Sequence, residues 1–126
     1  AGTVLAIDRA RVADELGFSG GPSHNSLDAT ASRDHLCELA FVCASSTTQL
    51  SRLAEDYIFF ATQEARFLTF GDAVSTGSSL MPQKRNPDAM ELVRGKCARV
   101  HGGLFALLGT MKGLPLAYNR DLQTDK

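Results

Sequence analysis

The residues best suited to chemistry are concentrated in one segment, Ser75-Thr76-Gly77-Ser78-Ser79-Leu80-Met81-Pro82-Gln83-Lys84-Arg85-Asn86-Pro87-Asp88. Gly77 is free to take backbone shapes closed to other residues, and the hydroxyls of Ser78 and Ser79 stand beside it. Lys84 supplies a point positive charge, while Asn86 and the free amides at the start of a following helix offer hydrogen-bond donors. Such a set fits a carboxylate or a phosphate. The glycine patterns of nucleotide loops (GxxxxGK before Ser or Thr, and GxGxxG) are absent, which argues against a nucleotide P-loop. GxSxG is absent as well, against a serine hydrolase. On these residues alone, a polar glycine-containing connector between two helices explains the segment equally well.

The elements that must hold this segment are helices. Asp8 to Leu16 predicts a short one, capped by Asp8 and ended by Gly17 and the loop Ser19-Gly20-Gly21-Pro22. Apolar residues at steps of three and four from Leu36 to Ile58 predict a long helix from about Arg33 to Ala61, with Ser32 as N-cap and Asp34 near its positive end. After the segment, Asn86 suits an N-cap and Pro87 a first helical position. Met90, Val93, Cys97, Val100, Leu104, Leu107 and Met111 carry that helix until Gly113 and Pro115 stop it. Gly95, Gly102, Gly103 and Gly109 lie within it, either to admit a closely packed neighbour or as a locally weak stretch.

These lengths matter. The two long helices would measure ~43 and ~39 Å, against a diameter near ~36 Å for a compact chain of this size. A single hairpin cannot bury both apolar stripes. The expected fold class is all-α, with residues 1–126 forming part of a single helical-bundle domain of a longer chain and residues 72–86 a site loop. The partner helices are expected from elsewhere in that chain or from other subunits.

Composition narrows the function classes. The 126 residues carry 13 Lys+Arg against 14 Asp+Glu, a net charge of −1, which leaves no basic excess for binding nucleic acid. No apolar run reaches the ~18 residues of a membrane span. Ala1-Gly2-Thr3 has neither an initiator Met nor the features of a signal peptide, so a cytoplasmic chain cut from something longer is expected. Cys37, Cys43 and Cys97 form no CxxC pair; they fit a reducing compartment and small buried apolar positions.

Gly77 to Pro87 resembles the GSSxMPxKxNP signature of the fumarate lyase (aspartase/fumarase) superfamily at all eight of its specified positions. Asn25-Ser26-Leu27-Asp28-Ala29, Ser32-Arg33-Asp34, Leu50 to Asp56, and Lys112 to Gln123 with Asp125-Lys126 resemble the branch of argininosuccinate lyases and delta-crystallins. The resemblance covers nearly the whole chain and corresponds to an interior quarter to third of a family member.

The resemblance implies the long-helix bundle of a homotetramer with shared active sites, and reversible elimination of fumarate from argininosuccinate to leave arginine. That reaction belongs to arginine biosynthesis or the urea cycle and requires no metal or organic cofactor. Ser78 is then the base, Lys84 the cation that stabilises its anion, and Asn86 the ligand of the fumarate carboxylate. Ser79 is a second donor or loop filler. Glu91 resembles the glutamate that orients a catalytic histidine, though a solvated glutamate is also favoured near a helix start. That histidine lies upstream in the family, and His24, His35 and His101 match no catalytic position. Tyr118, Gln123 and Lys126 resemble contacts to the arginine half of the substrate. Arg33 either joins them or pairs with Asp28 or Asp34, and Thr124 stands where an acidic residue is common. Another fumarate lyase, such as adenylosuccinate lyase, would share the loop but not so closely the segment from Tyr118 to Lys126. A structural delta-crystallin-like protein or a bare oligomerisation module would keep the helices without activity.

Overall fold

The computed structural model describes residues 2–125, and Lys126 therefore lies outside the described residues. Among the described residues there are four α-helices: α1 (Arg9–Glu15), α2 (Ser26–Ala31), α3 (Asp34–Phe60) and α4 (Asp88–Met111). Between α3 and α4 lie a 3-10 turn, Asp72–Val74, and the two-residue strands β1 (Thr76–Gly77) and β2 (Arg85–Asn86); a second 3-10 turn spans Arg120–Asp125. The chain divides into two compact units, one formed by Ala1–His35 with Leu108–Lys126, the other by Leu36–Leu107.

In the first unit, Asp8 caps α1 by accepting from the Arg11 amide. Gly17 ends that helix at a positive φ of 78°. The amides of Gly17 and Phe18 return to the carbonyls of Asp14 and Ala13, the double closure that glycine favours after a helix. A short helix unexpected from the sequence follows. Asn25 accepts from the amides of Leu27 and Asp28 and so starts α2 within the run that the family resemblance picked out. The α2 helix stops at Ser32, whose hydroxyl accepts at 3.4 Å from the Asp34 amide at the start of α3.

In the second unit, α3 and α4 run antiparallel, since Thr48 meets His101 and Glu55 meets Arg94. The hydrogen bond to Glu55, and then its charge, raise the Arg94 pKa further, so the guanidinium stays ionised. After α3 the chain turns back through Arg66 at a positive φ of 52°, and Phe67 meets Phe60 edge-on at 5.6 Å between ring centres. The residues buried in this unit are small: Ala44, Ala54 and Cys97. By contrast Leu39, Phe41, Val42, Leu50, Phe59 and Phe105 lie between 52 and 79% exposed. The apolar stripes are thus left uncovered among the described residues, as their surplus length predicts. Cys43 is exposed and Cys37 half-buried, which corrects the expectation that all three cysteines are buried; only Cys97 is. The α4 helix runs unbroken through Gly95, Gly102, Gly103 and Gly109, and none of the described residues would meet a methyl group added at any of them.

Candidate active site

The segment from Ser75 to Asp88 folds as a closed loop with a short two-stranded neck. Thr76 pairs with Asn86 and Gly77 with Arg85, antiparallel. Outside the ladder, Arg85 forms an ion pair with Asp72 at 3.0 Å, and the Thr76 hydroxyl donates to the Asp88 carboxylate. Two expectations are corrected by this neck. Asn86 does not cap α4 but pairs with Thr76; the helix begins at Asp88, and Pro87, not Asn86, stands at its edge and supplies the first carbonyl, accepting from Met90 and Glu91. Gly77 is not in a glycine-only conformation either. It lies in β1, where an added methyl would sit 3.6 Å from Arg85 Nη1, an ordinary contact.

Within the loop, Ser78 is half-buried and its Oγ accepts from the amides of Leu80 and Met81, both at 3.2 Å. Two donors aimed at one oxygen favour its anion, as a serine base requires. These partners are backbone groups, so residue types alone did not reveal them. A serine at the head of a tight turn was the available signal. Among the described residues no hydrogen bond joins Lys84 to Ser78; the Lys84 amide closes a turn onto the Met81 carbonyl at 2.9 Å, and its side chain is exposed. Among the described residues no carboxylate lies within ion-pair distance of that ammonium, so it is free to meet an anionic ligand. Ser79 is exposed beside Ser78.

Asn86 and Glu91 line a cavity of about 280 Å³ with Arg85, Gln63, Thr62 and Ser75. Glu91 occupies the first turn of α4 and is exposed. A larger hollow of about 400 Å³ in the other unit is lined by Ile7, Val12, Leu16 and Phe18 and holds none of the candidate residues. His101 is engaged structurally, with Nδ1 at 2.9 Å from the Cys97 carbonyl and Nε2 at 2.9 Å from Thr48 Oγ1.

In the unit that holds the C-terminal segment, Gln123 donates to the Tyr118 hydroxyl at 2.9 Å, which brings two of the expected substrate contacts together. Arg33 pairs with neither Asp28 nor Asp34. Its Nε meets Asp125 at 2.5 Å, with the two side chains only 18 and 14% exposed, and its Nη1 donates to the carbonyls of Thr30 and Ser32. The partner lies 92 residues away, beyond the reach of any local pattern. This guanidinium therefore anchors the turn that carries Gln123. Arg33→Ala should cost the complete protein about 2 kcal/mol, because it strands a half-buried carboxylate. An unchanged denaturation midpoint would contradict that anchoring.

Residues 1–102 match the Lyase family, and the chain belongs to it. Over all 126 residues it is 62% identical to the argininosuccinate lyase of Pseudoalteromonas atlantica and 57% identical to that of Streptomyces clavuligerus. The chain spans 27% of the length of each of these relatives. Among solved structures it is similar to an EDDS lyase in complex with formate (34% identity, TM-score 0.84), over 96% of this chain and 24% of that one. An EDDS lyase variant with bound fumarate is similar at 32% identity, with the same TM-score and coverage. The fold is all-α and is that of the fumarate lyases.

Proposed function

We propose that the chain is part of an argininosuccinate lyase, a carbon–nitrogen lyase that reversibly eliminates fumarate from argininosuccinate to leave arginine. The observation that carries this reading is the Ser78 hydroxyl held between two backbone amides at the head of the signature loop. The identity to argininosuccinate lyases along the whole chain supports it.

In this mechanism Ser78 Oγ, as the anion, takes the proton from the carbon beside a substrate carboxylate. Lys84 stabilises the Ser78 anion through its charge. Negative charge then builds on that carboxylate, where Asn86 meets it; donors fixed in advance at the point of charge development lower such barriers most. The electron pair of the broken C–H bond forms the double bond. The C–N bond breaks toward the guanidinium nitrogen, which an acid protonates. Glu91 orients a histidine that acts with it from another segment. Tyr118, Gln123 and Lys126 hold the arginine half, with Ser79 a further donor. Arg33 contributes through Asp125 and the turn that carries Gln123.

The assembly we propose is a homotetramer in which this chain is part of the central helical-bundle domain and active sites are shared. The uncovered faces of α3 and α4 and the open glycine positions of α4 support that arrangement. Among the described residues no helix is long and apolar enough to cross a membrane. A cytoplasmic role in arginine biosynthesis or the urea cycle belongs to the same proposal.

Offered argininosuccinate and adenylosuccinate separately, the complete protein is expected to release fumarate from the first alone. Release from adenylosuccinate, with none from argininosuccinate, would overturn the assignment. The 126-residue chain by itself is expected to release none, and measurable turnover by it would contradict a site built from several segments.

A further inference from the structure

The GSSxMPxKxNP signature ends before Asp88 and begins after Thr76, yet these two flanking residues are joined. The Thr76 hydroxyl donates to the Asp88 carboxylate across the mouth of the loop. Thr76 is also the ladder partner of Asn86, and Gly77 that of Arg85, so Ser78 leaves the neck at the Gly77–Arg85 pair, one step beyond the pair that Thr76 makes with Asn86. Asp88 stands in the first turn of α4, three residues before Glu91. One hydrogen bond therefore ties the start of the loop to the helix that carries Glu91. The other brace of the neck, Arg85 with Asp72, has side chains 53 and 83% exposed and is correspondingly weak.

We propose that Thr76 and Asp88 form a clasp of positioning residues, which holds Ser78 and Asn86 in a fixed relation and so sets how often the loop stands ready for proton removal. The proposal rests on the lyase reading above. If the clasp opens, the fraction of protein with a competent loop falls, and the maximal rate falls by that fraction. Binding of the distal half of the substrate is untouched, so KM changes little. A purely structural role would instead lower thermal stability and leave kcat of the folded enzyme unchanged.

The test is a double-mutant cycle on the complete protein. Thr76→Val removes the hydroxyl at constant shape, Thr76→Ser keeps it, and Asp88→Ala removes the acceptor. Thr76→Val and Asp88→Ala are each expected to lower kcat about tenfold, with KM within about threefold and the pair no worse than either alone. Thr76→Ser should restore kcat. An undiminished kcat in folded Thr76→Val, or losses that multiply in the pair, would overturn the clasp while the wild type still released fumarate. A wild type that releases no fumarate from argininosuccinate would overturn the lyase reading, and the clasp with it.

Discussion

Ser78→Ala in the complete protein is expected to reduce fumarate release by ~10³-fold or more, the upper part of the range for removing a general base. The fold should survive. The substitution leaves the amides of Leu80 and Met81 without their acceptor, but those residues are 87 and 40% exposed and water can replace it. The stability cost is therefore under about 1 kcal/mol. Loss of turnover with an unchanged denaturation midpoint separates a chemical role from a structural one. A folded Ser78→Ala protein with wild-type turnover would remove Ser78 from the mechanism.

Lys84→Ala should be nearly as severe, about 10²–10³-fold in kcat, the usual cost of losing one preorganised group of a charge-stabilising site. Here too the structure predicts little effect on folding. The Lys84 side chain is exposed, and the contact that shapes the loop is made by its backbone amide, which alanine keeps. Lys84→Arg should recover only part of the rate, since a planar guanidinium cannot occupy the place of a compact ammonium. Steady-state kinetics on both variants checks this. Equal kcat for Lys84→Ala and wild type would show that the stabilising charge comes from elsewhere.

What could be read from the residues was what depends on neighbours in sequence. The three-and-four rhythm located α3 and α4 to within a residue or two, and Asp8 and Gly17 bounded α1 as their side chain and backbone freedom require. The uncovered apolar faces followed from helix length alone. Pairing across distance was not legible. Asn86 has every local attribute of a cap, yet it pairs with Thr76 and the helix starts one residue later than the cap would place it. Gly77 invites an unusual backbone, and the same ladder makes it ordinary. Arg33 had two acidic neighbours within reach and takes a partner 92 positions away. The amides that hold Ser78 belong to no residue type at all. The signature thus marks the candidate site, while its geometry comes from turns and pairings that composition does not encode.

The assignment of Ser78 as the base is tested most directly by running the reaction backwards in deuterated water. The complete protein, given fumarate and arginine, should form argininosuccinate carrying one deuterium on the carbon beside the carboxylate, delivered from the Ser78 hydroxyl. Ser78→Ala should incorporate none. Incorporation by folded Ser78→Ala at the wild-type rate would contradict the account, because another group would then be carrying the proton.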